Sequence, residues 1–110
     1  MISIKVGKLT FKIELVDDFD SIGQFGMCIY KTQTIKLLKT LLKEQLKVTL
    51  IHELVHASMY VNGLSENETF NKEQLCEFVA WHSEEIIDIA TKIMKENKIW
   101  QNYTLQSTTN

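Results

Sequence analysis

The sequence predicts an α+β fold, on three observations. Apolar and polar residues alternate through the first third of the chain, as in half-buried strands. From about Lys43 the apolar positions recur at helical spacing instead. A second helical stretch opens at Asn71 behind a start signal and continues to about Glu96.

In chain order, Ile2, Ile4 and Val6 alternate with Ser3 and Lys5, which predicts a first strand. Leu9, Phe11, Ile13 and Leu15 alternate with Thr10, Lys12 and Glu14, which predicts a second. Gly7-Lys8 between them suits a tight turn. The stretch DDFDSIGQFG reads as a solvated loop, because Asp17, Asp18 and Asp20 lack the spacing and closing Glu of an EF-hand. Two short strands follow, Met27 to Tyr30 and Thr34 to Leu37.

In the first helix Leu46, Leu50, Leu54 and Val61 lie on one side, with Ile51, Val55 and Ser58 beside them. It should stop at Asn62-Gly63, where glycine can take the left-handed position after the cap. Asn71 and Gln74 have the spacing of a capping box, and Phe70 with Leu75 that of a hydrophobic staple. Val79, Ile86, Ile89, Ala90 and Ile93 are the expected buried residues of the second helix.

A chain of 110 residues that is 45% apolar and 24% charged suits one domain, here residues 1–98, followed by a polar tail, 99–110. No stretch is long and apolar enough to span a membrane, and the N-terminus lacks a signal peptide's apolar centre. The expected location is the cytoplasm. The net charge of −2 argues against nucleic acid as a partner. All 12 basic residues are lysine, so no guanidinium fork is present for phosphate or carboxylate recognition. Cys28 and Cys76 form no C-x-x-C pair and read as small buried hydrophobes, with zinc ligation by Cys76 the lesser alternative.

The chemistry concentrates in TLIHELVHASMY, Thr49 to Tyr60, which holds two of the three histidines in the pattern H-E-x-x-H. Residues four apart on a helix project from the same face, so His52 and His56 can fill two corners of a tetrahedral zinc site. Glu53 is turned about 100° from His52. It therefore points alongside the metal and suits a general base for zinc-bound water. The plain alternative is a helix that happens to carry two histidines and a glutamate. The apolar neighbours Leu50, Ile51, Leu54 and Val55 predict a buried helix, where imidazoles need partners.

A zinc site needs a third protein ligand. Glu73 lies at the edge of the apolar arc of the second helix and Glu77 one turn along. Glu73 is therefore expected to ligate, with Glu77 orienting a ligating imidazole through its free N–H. The reverse assignment stays open, as does a first-turn acid serving only the helix dipole. His82 falls within the apolar stripe and reads as a core or subunit-contact histidine rather than a ligand. Tyr30, Tyr60, His82 and Tyr103 are candidate oxyanion donors; Tyr60, one turn after His56, is favoured.

TLIHELVHA, followed after a loop by KEQLCEFVA, resembles the glutamate-zincin (gluzincin) metallopeptidases. More narrowly, it resembles the small ImmA/IrrE-like metallopeptidases of phages and mobile elements. In them a strand similar to TQTIKL precedes the H-E-x-x-H helix, and a later helix carries E-x-x-x-[NDE]-x-x-A, matched here by Glu73, Glu77 and Ala80. Glu77 stands where Asn or Asp is more usual. The resemblance spans roughly Gly26 to Ala80. It implies a minimal zincin-like domain, with an active-site helix and a glutamate helix packed on a small twisted sheet. It also implies a Zn2+-dependent endopeptidase acting on a specific protein substrate such as a repressor or regulator. The substrate would lie extended along an edge strand. A different class of function is a zinc-stabilised protein-binding module without turnover, in which the metal serves folding. A third is a metal-free interaction domain.

Overall fold

The computed structural model describes residues 2–64 and 71–97. Four strands come first, β1 (Ile2–Val6), β2 (Leu9–Val16), β3 (Gly26–Ile29) and β4 (Thr34–Leu38). Two helices follow, α1 (Lys43–Val61) and α2 (Lys72–Asn97). The predicted α+β class and element order are the observed ones, with ends shifted by a residue at β3 and β4.

The sheet is two antiparallel hairpins set side by side in the order β1-β2-β4-β3. Their inner strands β2 and β4 run parallel, pairing Ile13 with Ile35 and Leu15 with Leu37. Because a strand turns alternate side chains to one face, this register gathers Phe11, Ile13, Ile35 and Leu37 into one fully or nearly fully buried surface. The β1–β2 turn has Gly7 at φ +59°, a conformation that costs glycine little. Val61 packs so close that a Cβ at Gly7 would lie 2.7 Å from its Cγ1. The β3–β4 turn puts Gln33 at φ 49°. Its side-chain amide donates to the Thr10 carbonyl at 2.7 Å, which ties this turn to β2.

Helix α1 lies on the sheet and buries Leu46, Leu50, Leu54 and Ser58 as its spacing predicts, together with Ala57, whereas Ile51, Val55 and Val61 of the expected stripe are half-buried. Its end is a Schellman closure. Gly63, at φ +75°, donates its N–H to the Tyr60 carbonyl at 3.1 Å, and Leu64 donates to Met59 at 2.9 Å. Helix α2 starts at the predicted capping box. Gln74 N–H donates to Asn71 Oδ1 at 2.8 Å, and Asn71 N–H to Gln74 Oε1 at 3.0 Å. Phe70 of the expected staple lies outside the described residues, as does the 99–110 tail.

The packing of α2 differs from expectation. Ile86, Ala90, Ile93 and Met94 are buried and Ile89 is half-buried, but Val79 is 49% exposed and Leu75 52%. Length accounts for Leu75, though not for Val79, which lies past the overhang. At 26 residues against 19, α2 outruns α1 by 7 residues, or about 10 Å at 1.5 Å per residue. The overhang falls at its start: residues 71–77 are all exposed, and Phe78 is the first buried one. An apolar stripe on a helix is buried only as far as a neighbour reaches. Among the described residues, no helix is long and apolar enough to cross a membrane.

Candidate metal centre

His52 and His56 project from the same face of α1, as four-residue spacing requires. Their Nε2 atoms are 3.3 Å apart, with the rings edge-to-face at 67°. Zinc–imidazole bonds of about 2.0–2.1 Å at a tetrahedral angle put two nitrogens roughly 3.3–3.4 Å apart. The 3.3 Å separation matches that spacing and is equally that of a hydrogen bond between the two imidazoles. His52 is exposed and His56 half-buried, so the expected burial of both imidazoles holds only in part. His56 turns its Nδ1 inward, where that atom is buried.

The buried member of the motif is Glu53, only 6% exposed. It sits between α1 and the first residue of β3. A Cβ at Gly26 would lie 3.1 Å from Glu53 Oε2, 3.2 Å from its Cγ and 2.7 Å from Thr49 Cγ2. Only a residue without a side chain lets the strand approach the helix this closely. Four residues on, the Tyr30 ring stacks on Tyr60, with centroids 4.6 Å apart and planes 2° from parallel. Gly26 beside Glu53 and Tyr30 beside Tyr60 mean that β3 runs along α1 in the same direction.

Among the described residues β3 is an edge strand, bonded to β4 alone. The Leu38 N–H donates to the Phe25 carbonyl at 2.9 Å, just before the Gly26↔Leu37 pair. Backbone groups in an antiparallel pair alternate between partner and open side. Those of Met27 and Ile29 therefore face β4, and those of Gly26 and Cys28 face the open edge. The Gln24 side-chain amide reaches the Gly26 carbonyl at 3.3 Å. Beside this edge lies a shallow hollow of about 280 Å³ lined by Phe25, Gly26, Gln45, Val48, Thr49, His52 and Glu53.

The remaining candidates are dispersed. Glu73 and Glu77 are exposed on the overhanging start of α2. Among the described residues, no three His, Cys, Asp or Glu side chains gather into a group able to hold a metal. His52 lies against His56 and shares the hollow beside β3 with Glu53, while Glu73 and Glu77 stand on the exposed start of α2. His82 packs on Phe78 with centroids 4.8 Å apart, as expected of a core-contact histidine. Cys28 is half-buried against the core, whereas Cys76 is exposed on α2, contrary to its reading as a buried hydrophobe. Tyr103 lies outside the described residues.

Sequence reasoning did not single out Gly26, Gln24 or Phe25. The available signal was a glycine at the head of a strand interior, which often marks close backbone approach. No family model, curated protein or solved structure matches the chain.

Proposed function

We propose that the protein is a zinc-dependent endopeptidase acting on a specific protein substrate, with Glu53 as general base. One observation carries this reading: two imidazole nitrogens 3.3 Å apart, next in sequence to a buried carboxylate at an open strand edge. His52 and His56 would hold the metal, and Glu73 would complete the set from the start of α2, with Glu77 orienting a ligating imidazole through its free N–H. When bound, zinc supplies a water of lowered pKa and polarises a carbonyl.

The chain's own residues supply the rest. Glu53, held between Thr49 and the Gly26 backbone, accepts the proton of the attacking water and can return it to the leaving amine. The outer edge of β3 at Gly26 pairs with an extended peptide as an added strand, and the peptide replaces the Gln24 amide at the Gly26 carbonyl. Tyr60, flat against Tyr30 one turn beyond His56, donates to the developing oxyanion. The likeness to ImmA/IrrE-like metallopeptidases supports the same reading. So does an edge strand running beside the H-E-x-x-H helix, as a minimal zincin-like domain requires.

The test is the metal content of the purified protein together with cleavage of candidate partners, starting with a protein encoded beside this one. We expect one zinc per chain, lost in His52→Ala and His56→Ala, with affinity falling about 10- to 100-fold in Glu77→Ala. Glu53→Gln should keep zinc while cleavage falls at least about 100-fold, because the amide cannot accept a proton. Unchanged zinc in His52→Ala ends the proposal. A partner that is bound but never cut, with no effect of Glu53→Gln, assigns the chain to the binding-module class instead.

A further inference from the structure

We infer that the groove between edge strand β1 and helix α2 takes an extended segment of a partner protein, in which apolar and acidic residues alternate, as a fifth strand of the sheet. β1 is the outer strand on the side away from β3, and among the described residues it bonds to β2 alone. The groove, about 570 Å³, is lined by residues 2–5 of β1 and, across from them, by Ile89, Lys92, Ile93 and Glu96. A cavity over one face of a strand touches alternate residues, since neighbours point to opposite faces. This one touches four in succession, so it runs along the strand's edge. An edge presents unpaired N–H and C=O groups. Among the described residues no hydrogen bond reaches the outer side of β1. The opposite wall is a single stripe of α2, about 10 Å long at 1.5 Å per residue. An extended segment of about four or five residues, at roughly 3.3 Å each, fills that length.

The period of two sets the chemistry of the guest. Ile2, Ile4 and Ile89 are half-buried and Ile93 is buried, so guest residues that point inward meet isoleucine. Those that point outward lie beside the exposed Ser3 and Lys5. Among the described residues no carboxylate pairs with Lys5 or Lys92. Two such lysines against Glu96 favour acidic side chains on the outer face, because opposite charges across a strand pair attract and like charges repel. A lysine on an edge strand commonly serves only to discourage pairing. That role needs no apolar wall beyond the edge, whereas here Ile89 and Ile93 continue the surface of Ile2 and Ile4. A single convex strand also fits a concave groove better than a second copy, whose own groove would face it. β2 and β4 lie between this groove and β3, so a partner held here leaves the β3 edge free. The inference is independent of the peptidase reading and needs no metal.

The experiment titrates acetyl-Val-Glu-Val-Glu-Val-amide, and its analogue with Lys in place of Glu, into the metal-free 15N-labelled full chain at low salt. The Glu peptide should shift the amide signals of β1 and of Ile89 and Ile93, and should bind about three- to tenfold more tightly than the Lys peptide. Added salt should narrow that difference. Hydrogen exchange within β1 should slow on saturation with the Glu peptide, since an added strand supplies acceptors to the open edge. Lys5→Glu, at an exposed position, should keep the wild-type fold and lose the preference. Shifts centred on β3 or elsewhere, no shift up to about 5 mM, or equal binding of the two peptides would overturn the inference. Unchanged exchange in β1, or a Lys5→Glu variant that still prefers the Glu peptide, would do the same. So would β1 signals that move with protein concentration alone, because a second copy then fills the groove.

Discussion

Replacing Gly26 by alanine tests how the base is held. The added Cβ would sit 2.7 Å from Thr49 Cγ2, where two carbons prefer about 3.5–4.0 Å. Thr49 cannot swing away cheaply, because it is buried and its Oγ1 donates to the Gln45 carbonyl at 2.8 Å. The strand must therefore lift from α1 by several tenths of an ångström, a form of overpacking that costs about 1–3 kcal/mol. At roughly 4–8 °C per kcal/mol for a small domain, Tm should fall by about 4–24 °C. The carboxylate of Glu53, 3.1 Å from the new methyl, must move as well. Cleavage should thus drop while zinc content stays, since neither histidine is touched. Thr49→Ser removes Cγ2 and keeps the hydroxyl, so in the double variant Gly26→Ala/Thr49→Ser most of the lost stability should return. Thermal unfolding of the four members of this cycle reads the coupling, expected at about 0.5–3 kcal/mol. Additive effects of the two substitutions would refute the argument that Thr49 sets the approach of β3.

If Glu73 completes the zinc site, the exposed first turns of α2 must settle against α1. Hydrogen exchange over residues 72–80 should then slow on adding zinc to the wild type and not to Glu73→Ala; equal rates with and without metal would remove Glu73 from the ligand set. Asn71→Ala breaks the reciprocal cap of α2 and should cost about 1 kcal/mol in chemical unfolding, with no loss if this end is already open in the native ensemble. Helix α1 has no side-chain cap, because Leu42 occupies the N-cap position with φ −58° and ψ 152°. Leu42→Ser should therefore stabilise the chain by about 0.5–2 kcal/mol, and a lower unfolding midpoint would show that Leu42 has a packing role that outweighs the missing cap.

Most of the fold was legible because it is written in short-range patterns. The alternation in Ile2–Val6 and Leu9–Leu15 fixes which faces are buried, and Gly7-Lys8 fixes the hairpin register. Gly63 and the Asn71–Gln74 pair mark a helix end and a helix start by local hydrogen bonds alone. Sheet order was not legible, since the parallel pairing of β2 with β4 depends on contacts between residues more than 20 positions apart. The exposure of Leu75 escaped for a related reason. Helical spacing says which residues share a face, whereas the reach of the neighbouring helix decides how much of that face is covered.

The same division runs through the site. His52 and His56 are four residues apart on one helix, so their placement needs nothing beyond α1, and spacing alone identifies them. Glu53 was legible as a member of the motif but not as its buried member. That depends on β3, where a missing side chain at Gly26 lets the strand close over the carboxylate. Burial next to a backbone, rather than free rotation at the surface, gives a base a fixed direction, and it does so before any substrate arrives. The proposed third ligand depends on still more of the chain, because Glu73 belongs to a helix whose first turns are exposed among the described residues. On the proposed reading the site has two parts: His52, His56 and Glu53 are placed by α1 and the strand edge, while Glu73 would have to come from α2. If Glu73 ligates, metal binding would be coupled to the docking of the first turns of α2, and the zinc affinity would be reduced by the free energy that docking costs.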